Sequence, residues 1–323
     1  MSRPQPNRSP VAIGGMLAAV AVIFALLSQF LPMIFGLFAP LPMVIAVVML
    51  DFKFSVLVAA AASILMAVLL GPVSGLSFFF QYALVGSLMG AFIKAGKNYS
   101  TIFLGATVAQ AVGFGLFMLA QFALMGFDAS AFSNQFMSIE GEMLKNAEKT
   151  GLYATLAASS GITASEAELL FRQTLEMVVK LMPSIYCLIF AATAAVSLWM
   201  SDYVLKRMQL GVRVNPPQWR SIIMPTWVTA IFIASWIMLL VNNRILDNPL
   251  LWIVAVNVMV VGVACMEVDG LSYCLAKLKL SEKSFMWQMF YVMLVLFMGV
   301  YIIFVLAFLG VFDAIMDFRH LRE

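Results

Sequence analysis

The chain has 323 residues, of which 63% are hydrophobic and 11% charged, and its net charge is +3. This composition excludes an ordinary water-soluble domain, and the basic residues are too scattered to support nucleic-acid binding. The three cysteines have no CxxC spacing, and the only histidine lies near the carboxyl end. We therefore expect no disulfide framework, no multi-histidine metal site and no cofactor.

Nine apolar runs occupy most of the sequence, and most of them reach the roughly 20 residues that cross a bilayer. They are continuous rather than alternating, which predicts helices and not a barrel. We predict an all-α, polytopic transmembrane helical bundle with a cytoplasmic tail at residues 1–12 and a single membrane domain at 13–323. The predicted spans are Ile13–Phe30, Leu37–Leu50, Phe54–Leu70, Leu76–Ile93, Thr101–Met125, Leu181–Met200, Ile222–Val241, Leu250–Val268 and Phe285–Phe312.

The distribution of Lys and Arg between the loops predicts the orientation, because short cytoplasmic loops carry an excess of both. With the amino terminus inside, 12 of the 19 basic residues lie on the cytoplasmic side. Four of the others belong to one long loop, where this rule has little force. Arg319 and Arg322 oppose the assignment, because nine spans place them outside.

The segment 126–180 is the one long hydrophilic stretch, and we expect an external insertion made of two amphipathic helices. Thr163 and Glu166 have the spacing of a capping box and predict where the second helix begins. We expect this helix to continue into the sixth span, with a kink at Pro183. The insertion is either a lid over a site or a solvated connector with no ligand.

Polar side chains within apolar spans usually face protein or a cavity, because exposure to hydrocarbon is costly. They are candidates for binding a small polar solute, and hydrogen bonding between helices is the alternative explanation. Glu267 and Asp269 are too far apart around a helix to form a paired carboxylate site. The ligand-binding candidates are Gln81, Tyr82, Gln110, Gln121, Asn257 and Asp269.

Two acids stand near the end of the last predicted span, where the helix dipole disfavours negative charge. Asp313 and Asp317 are four residues apart, so a continuous helix puts them on one face. We expect a structural role in which they are held by Arg319 or by a cation from a loop. No metalloprotease, nucleophile-elbow or Walker motif occurs, so we expect no enzymatic activity.

Small residues line the first span at intervals of four, which allows helices to approach closely. The pairs are Gly15 with Ala19 and Ala21 with Ala25. The pattern predicts helix contact without deciding between an internal partner and another protein.

Two stretches resemble known families. The Pro40-Leu-Pro42 entry into a short span, the charged turn that follows and the Gly-Pro turn ending at Gly75 resemble the start of energy-coupling-factor transporter S-components. The closing sequence from Leu309 to Arg319, Gly-x-x-Asp-x-x-x-Asp-Phe-Arg, is similar to the YybS-like family of predicted bacterial membrane proteins, domain of unknown function 2232. Asp269-Gly270 stands where this resemblance leads us to expect Gln-Gly.

The resemblance implies a multi-pass protein of the bacterial cytoplasmic membrane, with a six-helix S-component-like core and extra carboxyl-terminal helices. In S-components the core holds a vitamin-like ligand near the outer face, and small residues of the first span contact a membrane coupling subunit. That implies partner contacts for Gly15, Ala19, Ala21 and Ala25, with Ala21 and Ala25 as the leading pair.

Two functions remain open on the sequence. The first is transport-related binding of a small solute between the fourth, fifth and sixth spans, without an ATPase of its own. The second is a membrane scaffold for cell-envelope or division proteins. The lipid bilayer is a partner in both cases, and a polar cavity inside the bundle favours the first.

Overall fold

The computed structural model describes residues 9–124, 126, 128–212, 214, 217–218, 221–277, 286–287, 290, 293, 297 and 299–320. Its regular elements within these residues are all helical, which confirms the all-α fold class. The helices are α1 (Pro10–Leu27), α2 (Pro32–Phe38), α3 (Leu41–Met49), α4 (Phe52–Leu70), α5 (Pro72–Phe78), α6 (Leu84–Lys94), α7 (Tyr99–Leu124), α8 (Ala129–Lys149), α9 (Leu152–Ser160), α10 (Ala164–Arg207), α11 (Thr226–Val241), α12 (Pro249–Lys277) and α13 (Val300–Met316).

Membrane-spanning capacity is widespread among these helices. Seven helical stretches in the described part of the chain are long and apolar enough to cross a bilayer, and Phe35–Met49 and Tyr301–Met316 are shorter apolar segments. The predicted ninth span, Phe285–Phe312, lies partly outside the described residues. It is not one continuous helix, because Gly299 has a φ of 55° and α13 begins only at Val300.

The chain divides into two compact units. Unit 1 comprises residues 1–176 and 189–216, and unit 2 comprises residues 177–188 and 217–323. The long helix α10 therefore contributes residues to both units. Unit 1 holds the first five predicted spans and the part of the sixth from residue 189 onward, and α11, α12 and α13 belong to unit 2.

In unit 1, α1 packs against α3 and α4 through its small residues. Ala21 is fully buried and Ala25 is 2% exposed, both in a core cluster with Ala62 and Phe78. The implied role of Ala21 and Ala25 as contacts for a coupling subunit is therefore wrong, because their methyl groups already pack inside unit 1. The other pair, Gly15 and Ala19, lies on the exposed face of α1.

The fourth predicted span is interrupted by a single π-helical turn, Phe79–Ala83, between α5 and α6. Helix α7 comes very close to this turn at Gly113, where an added Cβ would lie 2.1 Å from the Phe80 carbonyl oxygen. Only glycine allows this approach. The two elements together fix the position of Tyr82.

The hydrophilic insertion contains α8, α9 and the first part of α10. The predicted capping box is confirmed: the Glu166 amide donates to Thr163 Oγ1 at 3.3 Å, and the Thr163 amide donates to Glu166 Oε2 at 2.7 Å. Helix α10 also continues through Pro183, as predicted. Two amphipathic helices were expected, but Gly151, with a φ of 68°, separates α8 from α9 and adds a third helical piece.

In unit 2, α12 and α13 meet backbone to backbone at two glycines. An added Cβ at Gly270 would lie 1.9 Å from the carbonyl oxygen of Leu306, and one at Gly310 would lie 2.0 Å from that of Met266. Each carbonyl belongs to the residue four positions before the other helix's glycine. This reciprocal offset, together with Arg319 reaching Ser272, shows that α12 and α13 run parallel.

The parallel arrangement changes the placement of the carboxyl end. Arg319 follows α13 and donates to the Ile222 carbonyl, just ahead of α11, and to Ser272 near the end of α12. It therefore lies at the same end of unit 2 as the start of α11. The nine-span count placed Arg319 at the opposite end from the start of α11, and that placement is wrong.

Candidate functional site

A cavity of about 200 Å³ opens in unit 1 where α1 and α4 end and α5 begins. Hydroxyl groups and one amide line it together with aromatic rings, and none of the lining side chains carries a charge. The lining residues are Ala25, Ser28, Gln29, Met66, Val73, Ser74, Ser77, Phe78, Tyr82 and Phe117. A cavity of this size and chemistry suits a small, uncharged solute that has hydrogen-bonding groups and an apolar or flat part.

Tyr82 belongs to the π-helical turn and lines this cavity. Single π turns are rare and frequently occur at functional sites, because the extra residue re-aims the side chains that follow. The Tyr82 ring packs on Phe78, with ring centres 6.1 Å apart, and Tyr82 is one of the lining residues. Its hydroxyl is the polar group that this residue can offer to a solute.

Gln81 supports the cavity without lining it. Its amide nitrogen donates to Ser77 Oγ at 3.1 Å, and Ser77 is a lining residue. Gln81 is thus a positioning residue for one wall, and Tyr82 is the predicted candidate that reaches the cavity directly. Gln121 lies one helical turn beyond Phe117 on α7 and is partly exposed.

Gln110 makes a hydrogen bond between helices, which was the alternative to ligand binding in the sequence analysis. Its side chain is 8% exposed and its amide oxygen accepts a hydrogen bond from Thr193 Oγ1 at 2.8 Å. The bond joins α7 to the part of α10 that belongs to unit 1. The residues that line the cavity come from the first, third, fourth and fifth predicted spans. The sequence analysis had placed the solute between the fourth, fifth and sixth.

A double-mutant cycle on Gln110→Leu and Thr193→Val tests this role. We expect a coupling free energy of about 0.6 kcal/mol, typical of hydrogen bonds between membrane helices. Thermal unfolding of the purified single and double variants measures it. Additive effects of the two substitutions would contradict the bond.

Asn257 on α12 inserts its amide into the helical ladder of α10 next to Pro183. Its Oδ1 accepts from the Ser184 amide at 2.8 Å, and its Nδ2 donates to the Lys180 carbonyl at 2.8 Å. Proline has no amide hydrogen, so neighbouring side chains often satisfy backbone groups near it in membranes. Nδ2 also donates to the Ile253 carbonyl, so both its hydrogens are used and its predicted ligand-binding role gives way to a structural one.

Asp269 belongs to a buried ionic cluster in unit 2, which we call the Arg319 cluster and define as Asp269, Asp313, Arg319 and Ser272. Arg319 Nη2 lies 2.6 Å from Asp269 Oδ1 and 2.5 Å from Asp313 Oδ2. Both carboxylates are fully buried and the Arg319 side chain is 5% exposed. The Met224 amide donates to Asp269 Oδ2 at 3.0 Å.

Asp317 does not share a helical face with Asp313, contrary to the prediction. Helix α13 ends at Met316, and Asp317 is its C-cap, with a left-handed φ of 46°. The reversal turns the chain so that Arg319 points back to Asp313, whose Oδ2 accepts from Nε at 2.8 Å. The prediction assumed a helix continuing through Arg319, whereas the left-handed cap is what forms the ion pair.

A second cavity lies in unit 2, and its lining is wholly apolar. It measures about 270 Å³ and is lined by Phe232, Ile233, Trp236, Val263, Phe304, Ala307, Phe308 and Val311. It offers no group to orient a polar solute, so the cavity at Tyr82 is the better candidate for recognition.

One protein-family model matches most of the chain. A family model described as predicted membrane protein (DUF2232) matches residues 16–314. The chain belongs to this family. The match includes both units and confirms the membership expected from the closing Gly-x-x-Asp sequence.

No curated protein matches the chain, and no solved structure does. Membership in the DUF2232 family supports an integral membrane protein in contact with the lipid bilayer.

Proposed function

We propose that this protein binds a small, uncharged polar solute in the cavity at Tyr82, as the substrate-binding part of a transport system and without an ATPase of its own. The observation that carries the proposal is an uncharged, partly polar cavity within a largely apolar bundle. Polar groups that face an opening inside a membrane protein usually mark a solute path, because burying them without a partner is costly. The proposal involves no chemical change of the solute.

The sequence resemblance to S-components, which bind their ligand near the outer face, supports a solute site on that side of the membrane. With the amino terminus in the cytoplasm of a bacterial cell, α1 and α4 run outward, and the cavity at their ends faces outside. The same orientation puts the insertion at 126–180 outside, on the side where α7 ends. This supports solute capture from the outer face of the cytoplasmic membrane.

A coupling partner belongs to the proposal, because nothing in the cavity supplies energy. The exposed face of α1 at Gly15 and Ala19 is the surface we assign to such a partner. Both residues are small and exposed, and space around the Gly15 Cα is open to 4 Å. Small exposed residues let a second helix approach closely.

The substitution Tyr82→Phe tests the solute site, since it removes only the hydroxyl and keeps the ring. We expect the affinity for the co-purifying solute to fall several-fold, for loss of about 1 kcal/mol from one hydrogen bond. Mass spectrometry of small molecules retained by the detergent-purified protein measures the loss. Thermal stability should remain near that of the wild type.

Gln110→Leu is the matched control, because it removes a buried hydrogen bond away from the cavity lining. It should lower stability and leave solute retention unchanged. A protein that retains no metabolite, with variants that change stability alone, would refute solute binding. Co-purifying envelope or division proteins without any metabolite would instead favour a membrane scaffold.

A further inference from the structure

The Arg319 cluster holds one negative charge too many. Asp269 and Asp313 are fully buried, and Arg319 is the one cation that the described residues bring to them. All three nitrogens of the guanidinium are engaged: Nε with Asp313, Nη1 with Ser272, and Nη2 with Asp269, Asp313 and the Ile222 carbonyl. Two ionised carboxylates would leave a net charge of −1 in a site of low polarity, which is very costly.

One carboxylate oxygen of the cluster has no hydrogen-bond partner among the described residues. Asp313 Oδ2 accepts two hydrogen bonds from Arg319, whereas Asp313 Oδ1 is buried and has no hydrogen-bond partner. Asp269 differs, because each of its oxygens accepts a hydrogen bond, one from Arg319 and one from the Met224 amide. Asp313 is therefore the carboxyl group of the cluster that has one buried oxygen without a donor.

Few other ionisable side chains lie on the surrounding elements in the described part of the chain. Helix α12 presents Asp269 and also carries Glu267 and Lys277, and the Lys277 Nζ lies 5.9 Å from the centre of the Tyr273 ring. Helix α11 contains no ionisable side chain. The segment ahead of α11 contributes the Ile222 carbonyl and the Met224 amide. After α13, the remaining ionisable groups in the described residues are Asp317, whose amide donates to the Asp313 carbonyl at 2.8 Å, and the exposed His320.

We propose that the Arg319 cluster is a buried proton-binding site and that Asp313 carries the proton on Oδ1. A proton neutralises the cluster and needs no additional ligands. A metal cation fits less well, because the guanidinium already occupies the space between the carboxylates and repels positive charge. No group of three or more His, Cys, Asp or Glu side chains suited to a metal occurs in the described part of the chain.

Infrared spectroscopy of the full-length protein in detergent tests the site directly. A protonated carboxyl has a C=O stretch at a higher frequency than a carboxylate. We expect the wild type at neutral pH to show this band, and Asp313→Asn to lose one band while keeping its fold, because Asn matches a neutral carboxyl in shape. Asp269→Asn should also lose the band, since Asp313 then ionises to balance Arg319.

Asp202→Asn is the matched control. Asp202 is 5% exposed but pairs one-to-one with Lys206 and accepts from the Val214 amide, so one cation faces one carboxylate there. This variant should retain the band. If the wild type lacks the band, or if it persists in both folded cluster variants, the proposal is wrong. Sodium-dependent thermal stability in a protein without the band would assign a metal cation instead.

Discussion

Arg319→Gln is expected to destabilise the protein by about 3–5 kcal/mol, the cost of removing one partner of a buried ion pair. The substitution leaves Asp269 and Asp313 buried without a counter-charge. It also removes donors to Ser272 and the Ile222 carbonyl, which tie the end of α13 to α12 and to the start of α11. Thermal unfolding of the purified protein and its folded yield in membranes measure the effect.

Arg172→Gln is the matched control, since Arg172 and Glu168 form an exposed pair one helical turn apart, at 2.9 Å. Exposed pairs contribute about 0.5 kcal/mol or less, so this variant should unfold near the wild-type temperature. Combining Arg319→Gln with Asp269→Asn should recover much of the lost stability, because the cluster is then neutral when Asp313 holds a proton. Equal effects of Arg319→Gln and Arg172→Gln would contradict the buried cluster.

Gly310→Ala is expected to cost about 1–3 kcal/mol, the usual effect of overpacking, and more if the backbones cannot separate. The new methyl group would meet the Met266 carbonyl oxygen, which is backbone and does not rotate away. Gly270→Ala should behave alike, because its methyl group would meet the Leu306 carbonyl oxygen. Thermal unfolding of each single variant measures the cost.

Gly115→Ala is the control substitution, for which we expect no loss of stability. Gly115 lies on the exposed face of α7, and an added Cβ would have no neighbour within 4 Å. Alanine is the better helix former, by about 0.5–1 kcal/mol, so this variant should be neutral or slightly stabilising. If Gly310→Ala and Gly115→Ala shift the unfolding temperature equally, close contact between α12 and α13 is not needed for stability.

Local signals predicted the helices well. The apolar runs predicted the seven helical stretches that are long enough to cross a bilayer, and the Thr163 to Glu166 spacing predicted the start of α10, because each depends on residues within a turn or two. Small residues also predicted that α1 packs closely, but not which pair packs inward. That choice depends on the surfaces of α3 and α4, so Ala21 and Ala25 could not be separated from Gly15 and Ala19 by spacing.

Long-range polar pairing was beyond prediction. Asn257 and Ser184 are 73 residues apart, and Arg319 and Asp269 are 50 apart. Nothing in either neighbourhood identifies the partner, since any polar group in an apolar helix must find one. A signal did exist for the first pair: Pro183 interrupts a helix ladder and so requires a nearby donor or acceptor.

The hydrogen bonds that Asn257 makes to α10 also affect the order in which the helices reach their final structure. Chains grow at about 5–20 residues per second, so Asn257 follows Ser184 out of the ribosome by about 4–15 s. Until then the Ser184 amide can bond only to groups already made, and the Lys180 carbonyl one turn back is the natural acceptor. We expect the newborn α10 to begin with a direct bond from the Ser184 amide to the Lys180 carbonyl, so that Pro183 alone interrupts the ladder here. This bond opens when α12 arrives, so that α10 matures only after a later helix has entered the membrane.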